Sequence, residues 1–168
     1  MLEKPNFYSV IIGTELLNGR RKDAHFAFLN QQLLSRGWEQ KASFVINDDT
    51  NLMENIFNLI KNDPNSVMFC FGGIGATPDD YTREVAGKVF TNGKMEFHEE
   101  AKNRIINQFA DEAYPHRINM AYLPINAKLL TNVVNNVAGF YLEDRFFFTP
   151  GFPSMSQAMV IEALDLLY

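Results

Sequence analysis

The sequence has one cysteine, Cys70. A lone thiol excludes an intramolecular disulfide framework and a multi-cysteine zinc site. It lies within VMFCF, so it reads as a buried core residue rather than a nucleophile. No apolar run approaches the ~18 residues that a membrane-spanning helix needs. Basic side chains are outnumbered: 15 Lys and Arg against 20 Asp and Glu give a formal net charge of -5. Such a chain lacks the basic face that nucleic-acid backbones require. Neither nucleic acid nor a membrane is therefore an expected partner. The opening residues, MLEKPNFYSVII, mix an acid, a base and a proline before the apolar run, unlike a secretory signal. A cytoplasmic location is expected.

What is present fits an α/β protein. The 168 residues are 46% hydrophobic and 21% charged, the balance of an ordinary globular chain. That length suits one domain, residues 1–168. The 15 phenylalanines point to a core of large side chains or to a subunit interface. Phe7 to Ile12, Ala42 to Ile46 and Val67 to Phe71 read as strands. Asp23 is placed to cap a helix carrying Phe26, Leu29, Leu33 and Leu34 that stops at Gly37. NDDT opens another, with Met53, Ile56, Phe57 and Ile60 on one face, ending at Asp63-Pro64-Asn65. His98 to Glu112 reads as a helix, Phe140 to Phe148 as a hairpin and Ser154 to Leu167 as a closing helix. Strands alternating with helices predict βαβ units, a mostly parallel sheet and helices on both faces. The Phe146–Phe148 triplet cannot all face one side of a strand, so part of it meets another layer or another subunit.

GGIGATPDDYTREVAG, residues 72–87, follows the third strand at once. Gly72, Gly73 and Gly75 allow a ligand to approach the main chain closely. Free N–H groups and a helix dipole at a strand-to-helix junction favour an anion such as phosphate. In an open α/β sheet, ligands gather at the carboxyl ends of strands. The loop is neither a Walker A nor a G-x-G-x-x-G motif. A purely structural reading is also open. Glycines make turns, Thr77 with Asp80 fits a capping box, Pro78 suits the first helical position and Asp79 the first turn.

The second aspartate adds something that capping does not need. Carboxylates beside a phosphate repel it unless a cation such as Mg²⁺ intervenes. Glu15 follows the first strand, and Asp48 and Asp49 follow the second. Acids from separate loops thus fall on one edge of the expected sheet. Each alone is also explained as a cap or a solvated loop residue.

GTELLNG, NDD, GGIGATPDDYTRE, TNVVNNVAGF and TPGFP, in that order, resemble the molybdopterin-binding domain superfamily, in particular the amino-terminal domain of competence/damage-inducible proteins. The resemblance runs from about Tyr8 to Met159. It implies a three-layer α/β sandwich with a mostly parallel sheet, helices on both faces and a small β-hairpin excursion. It also implies a strand-end pocket for a phosphorylated pterin or a nucleotide, with molybdopterin itself a possible ligand. Matched by motif, Gly72, Gly73, Gly75 and Thr77 would hold phosphate. Asp48 and Asp80 would carry the phosphoryl chemistry, and with Glu15 they would bind Mg²⁺ or another divalent metal. Asn132 would contact the ligand, and Gly151 and Pro153 would shape the pocket wall. Relatives of this kind include molybdopterin adenylyltransferases and domains that split ADP-ribose with a divalent metal. They form dimers or trimers, so a homo-oligomer is expected. The sequence ends at Tyr168, so the deamidase activity of the larger competence proteins is expected to be absent.

This chain departs from the pattern at Ile74, Ala76, Asn135 and Asn136, and His25 stands where an asparagine is common. Arg20-Arg21-Lys22 could meet a distal phosphate or form a solvated cluster. Tyr8 and Tyr141 could stack on a ring or pack in the core. Lys128 and Arg145 read as surface residues. The leading expectation is binding of a pterin or nucleotide, with hydrolysis of a pyrophosphate such as that of ADP-ribose. Adenylyl transfer to molybdopterin, a module that binds without turnover, and a purely structural role are the alternatives.

Overall fold

A computed structural model describes residues 5–167. In chain order the elements are β1 (Asn6–Ile12), α1 (Thr14–Leu17), α2 (His25–Leu34), β2 (Gln40–Ile46), α3 (Thr50–Lys61), β3 (Ser66–Phe71), α4 (Thr82–Phe90), β4 (Met95–Phe97) and α5 (Glu99–Phe109). Two short 3-10 turns, Ala110–Ala113 and Arg117–Ala121, then lead to β5 (Tyr122–Pro124), β6 (Lys128–Leu130), β7 (Gly139–Leu142), β8 (Phe146–Thr149) and α6 (Pro153–Leu167).

The main sheet has the order β2-β1-β3-β8-β7-β6. The first four of these are parallel neighbours, whereas β7 pairs antiparallel with both β8 and β6. This is the three-layer α/β arrangement with helices on both faces. The hairpin expected at 140–148 extends the main sheet, and a separate two-stranded sheet pairs β4 with β5.

Strand alternation divides the core. Phe7 and Ile11 of β1, Phe69 and Phe71 of β3 and Phe147 of β8 face α2 and α6. Tyr8, Val10, Met68, Cys70, Phe146 and Phe148 face α3, α4 and α5. The phenylalanine triplet therefore splits between two layers of the same chain. Rings stack across the sheet: Phe69 on Phe147 at 5.2 Å, Phe147 on Tyr141 at 5.2 Å and Phe140 on Phe148 at 4.6 Å. Each such ring contributes roughly 1.5–3 kcal/mol by leaving water. Tyr8 and Tyr141 belong to this packing. The Tyr8 hydroxyl donates to Asp63 Oδ2 at 2.8 Å, at the end of the sheet where β1 begins.

Helix ends follow local chemistry. The Asp23 carboxylate accepts from the amides of His25 and Phe26, as its position predicts. Asp49 caps α3 by accepting from Asn51 and Leu52, a bond worth about 1 kcal/mol. Along α3, Met53, Ile56, Phe57 and Ile60 are buried at helical spacing. The 98–112 helix is shorter than expected: α5 ends at Phe109, and a tighter turn follows. Arg145 is no plain surface residue. Its guanidinium donates to the carbonyls of Asp63 and Ser66 and to the Ser66 hydroxyl, pinning the start of β3.

Candidate functional site

The strand order places the ends of β1 and β3 side by side, while the chain leaves them toward opposite faces. α2 follows β1 on one face and α4 follows β3 on the other. A pocket of about 500 Å³ opens there.

Its floor is the glycine loop. Gly72 and Gly73 take φ of +103° and +76°, the left-handed region that only glycine enters cheaply. The Gly72 N–H continues the ladder to the Thr149 carbonyl at 2.9 Å. Behind the loop, the buried Thr82 hydroxyl donates to the Gly72 carbonyl at 2.9 Å, and the Thr82 N–H donates to the Gly73 carbonyl at 3.0 Å. Arg83, only 7% exposed, donates from Nη1 to the Gly75 carbonyl at 2.8 Å. The carbonyls of Gly72, Gly73 and Gly75 are thus turned toward α4. Among the described residues, the N–H groups of Gly73, Ile74, Gly75 and Ala76 have no partner in the chain. A row of such amides is a concavity suited to an anion.

The loop's far end differs from the sequence reading. Thr77 and Asp80 do meet: Asp80 Oδ2 accepts from the Thr77 N–H at 2.9 Å and lies 2.6 Å from its hydroxyl. They close a separate turn, however, because α4 begins at Thr82 with Tyr81 as its cap. The Thr77 hydroxyl is also 2.6 Å from Asp79 Oδ1. This turn braces the glycine loop instead of capping the helix.

Acids line the pocket too. Glu15, Asp48, Asp79 and Asp80 all border the pocket. Asp48 accepts from the Thr14 hydroxyl at 3.2 Å. Partial burial raises its pKa above the usual carboxylate value. The Thr14 bond opposes this, and the charges of Asp79, Glu15 and Asp80 add to it. Acids from distant segments therefore feel one another in one place. Arg21 comes from the basic loop to pair with Glu15 at 2.6 Å. The three proposed metal ligands share the pocket without forming a ready-made metal centre. Among the described residues, no three His, Cys, Asp or Glu side chains are grouped to hold a metal. Glu15 is committed to Arg21 and Asp80 to Thr77, so the donor set does not fit a protein-only metal site.

The apolar part of the lining was not singled out from the sequence. Phe109, Met120, Val137, Phe152 and Met155 present apolar surface to the pocket, with Asn135 among them. Gly151 lines the pocket as expected, but Asn132 and Pro153 do not. Asn132 instead organises the loop before β7. Its Oδ1 accepts from the amides of Val134 and Asn135, and its Nδ2 donates to Asn135 Oδ1 and to the Val137 carbonyl. Pro153 opens α6.

His25 is structural. It is 5% exposed and stacks on Phe71 at 4.3 Å. Nε2 lies 2.9 Å from the Gly151 carbonyl, so it carries the proton, and Nδ1 faces the Ser156 hydroxyl at 3.4 Å. Burial holds its pKa below the usual imidazole value, more than the Gly151 bond and Asp23 raise it. The neutral ring fastens the 150–152 loop to α2 and α6.

Residues 9–167 match the family described as a probable molybdopterin binding domain. The chain belongs to that family. This molybdopterin-binding-family domain is 33% identical over 162 residues to the CinA-like protein of Geotalea uraniireducens, covering 91% of this chain and 37% of the relative. Its likeness to the CinA-like protein of Syntrophotalea carbinolica is 31% over 154 residues, covering 88% of this chain and 37% of that one. The chain thus spans between a third and two thirds of the length of the curated relatives it matches. Among solved structures, CinA of unknown function from Thermoplasma acidophilum superposes with a TM-score of 0.83 at 25% identity, covering 97% of this chain and 98% of that one. The tungsten cofactor synthesizing protein MoaB from Pyrococcus furiosus shares the fold, with a TM-score of 0.58 at 18% identity over 98% of this chain and 93% of that one. No helix among the described residues is long and apolar enough to cross a membrane.

Proposed function

We propose that this domain binds a phosphate-bearing pterin or nucleotide, with the phosphate on the glycine loop. The observation that carries this reading is the row of unpartnered amides from Gly73 to Ala76, held open by Thr82 and Arg83. Such donors favour an anion without any basic side chain, which suits a chain of net charge -5. In this reading Gly72 and Gly151 shape the floor and Thr77 steadies it. A divalent cation such as Mg²⁺ would arrive with the phosphate, since it needs only one or two carboxylates. Asp48, whose one side-chain bond among the described residues is to Thr14, and the Asp80 oxygen that has no partner among them are pocket-lining groups that could meet it. Membership of a molybdopterin-binding family favours a pterin. Pyrophosphate hydrolysis and adenylyl transfer are the reactions this reading puts to the test. Self-association as a dimer or trimer belongs to the same proposal. The exposed Phe97–Tyr122 pair, with ring centroids 5.0 Å apart, supports it, and light scattering measures it.

The experiment is a set of thermal shifts with AMP, ATP, ADP-ribose and neopterin phosphate, with and without Mg²⁺, followed by product analysis. A rise in Tm with at least one of these ligands is the expected result. No rise with any of them, in either condition, would overturn the reading. Products from ADP-ribose or ATP that vanish in Asp80→Asn would extend binding to catalysis.

A further inference from the structure

The pocket's lining is mixed, and its apolar residues have a chemistry of their own. Phe109, Met120, Val137 and Met155 are half-buried there, while Phe152 is 60% exposed. Phe152 stands in TPGFP, between the glycine whose carbonyl His25 holds and the proline that opens α6. Its backbone is therefore fixed although its ring is bare. Aromatic and thioether side chains together favour a flat, polarisable partner.

Asn135 supplies the polar element. Its Oδ1 accepts from the Val137 N–H at 2.8 Å and from Asn132 Nδ2 at 2.9 Å. The Val137 amide can only donate, so the oxygen must lie on that side. The Nδ2 amino group is left with no partner among the described residues, on a residue that borders the pocket. Asn135 is thus a donor-only group whose orientation is set by the loop. A purely apolar or donor-bearing edge would leave that amino group unpaired, at a cost.

We propose that Phe152 and Asn135 form a ring subsite of this pocket. Phe152 packs against the face of a planar heteroaromatic ring, and Asn135 Nδ2 donates to an acceptor on its edge, a ring nitrogen or a carbonyl oxygen. The inference rests on the phosphate reading above and deepens it, because it fixes the ligand's orientation. The phosphate lies on the glycine loop and the ring lies against Phe152. It also makes Phe152 and Asn135 specificity residues of this chain.

The test compares AMP and neopterin phosphate with ribose 5-phosphate, which has the phosphate and no ring, by isothermal titration. Wild type binds at least one ring-bearing ligand roughly tenfold or more tighter than ribose 5-phosphate, the scale of base–aromatic stacking. Phe152→Ala lowers that ratio at least about threefold and leaves ribose 5-phosphate unchanged. Asn135→Asp keeps an oxygen for Val137 and Asn132 but replaces the donor with an acceptor, and it lowers the same ratio. Charge effects on the phosphate cancel in the ratio. If neither ring-bearing ligand is preferred in wild type while ribose 5-phosphate binds, the ring subsite is wrong and the phosphate reading stands. If the variants weaken all three ligands equally, the subsite is again wrong. If none of the three binds, both readings fall together.

Discussion

Gly73→Ala should be far more damaging than an alanine at another left-handed glycine. The two penalties involved can be separated. Gly73 and Gly93 have nearly the same φ, +76° and +77°. An alanine at either costs about 1 kcal/mol in backbone strain. A methyl at Gly93 meets nothing within 4 Å, so the strain is its whole cost. A methyl at Gly73 would collide with the Thr82 hydroxyl and come 3.0 Å from Thr82 Cβ. Thr82 is fully buried and cannot swing into solvent. Its hydroxyl would turn away and leave the Gly72 carbonyl unpaired, at about 1–3 kcal/mol, and crowding adds ~1–3 kcal/mol. The expected totals are therefore about 3–7 kcal/mol for Gly73→Ala against about 1 kcal/mol for Gly93→Ala. Urea unfolding of both variants gives the comparison. A double-mutant cycle isolates the collision: in a Thr82→Ala background the cost of Gly73→Ala should fall by at least ~1 kcal/mol. Equal costs for the two glycine variants, or strict additivity in the cycle, would refute the view that Thr82 sets the loop.

Three further outcomes are expected. His25 has a pKa lowered by burial, so above about pH 6.5 it is neutral in both states. Below that value the unfolded chain takes up the proton more readily, and stability falls by at most about 1.4 kcal/mol per pH unit from this group. His25→Asn should flatten the difference between urea midpoints at pH 7.5 and 5.5, and an unchanged difference would refute it. Asp48 has a pKa raised chiefly by burial, so its charge at neutral pH opposes folding. Asp48→Asn should raise stability slightly, by less than about 1 kcal/mol, and a lower urea midpoint would contradict this. Burial also drives the Cys70 thiol far above its ordinary pKa. It should not react with a disulfide reagent until urea unfolds the chain, and fast labelling of the native protein would show that β3 opens locally.

The elements that carry a period were legible in the sequence. Met53, Ile56, Phe57 and Ile60 announce α3, and alternation in Phe146–Phe148 announces a strand buried on both faces. The glycine loop and the acidic edge were legible too, because chain order in a parallel sheet sends their segments to one end. What stayed hidden depends on contacts between distant segments. Thr82 lies within the quoted stretch, yet nothing local says that its hydroxyl reaches back to Gly72. Asn132 looks like a ligand residue until its four bonds within its own loop are counted. Phe109 and Met120 come from a helix end and a 3-10 turn with no motif at all. Thr77 and Asp80 pair as their spacing suggests, but the pair serves a turn, because α4 starts later than the capping pattern implies.

The reversal of strand order at β1 makes the hollow a product of chain routing. Its position comes from the path of the chain, while Thr82 and Arg83 shape the glycine loop within it. Successive descendants of such a chain could exchange every group on its lips and still inherit a place to bind something. Positions 74, 76, 135 and 152 border the hollow but lie outside the strands whose order creates it, so substitutions there would alter what it accepts and leave the sheet as it is.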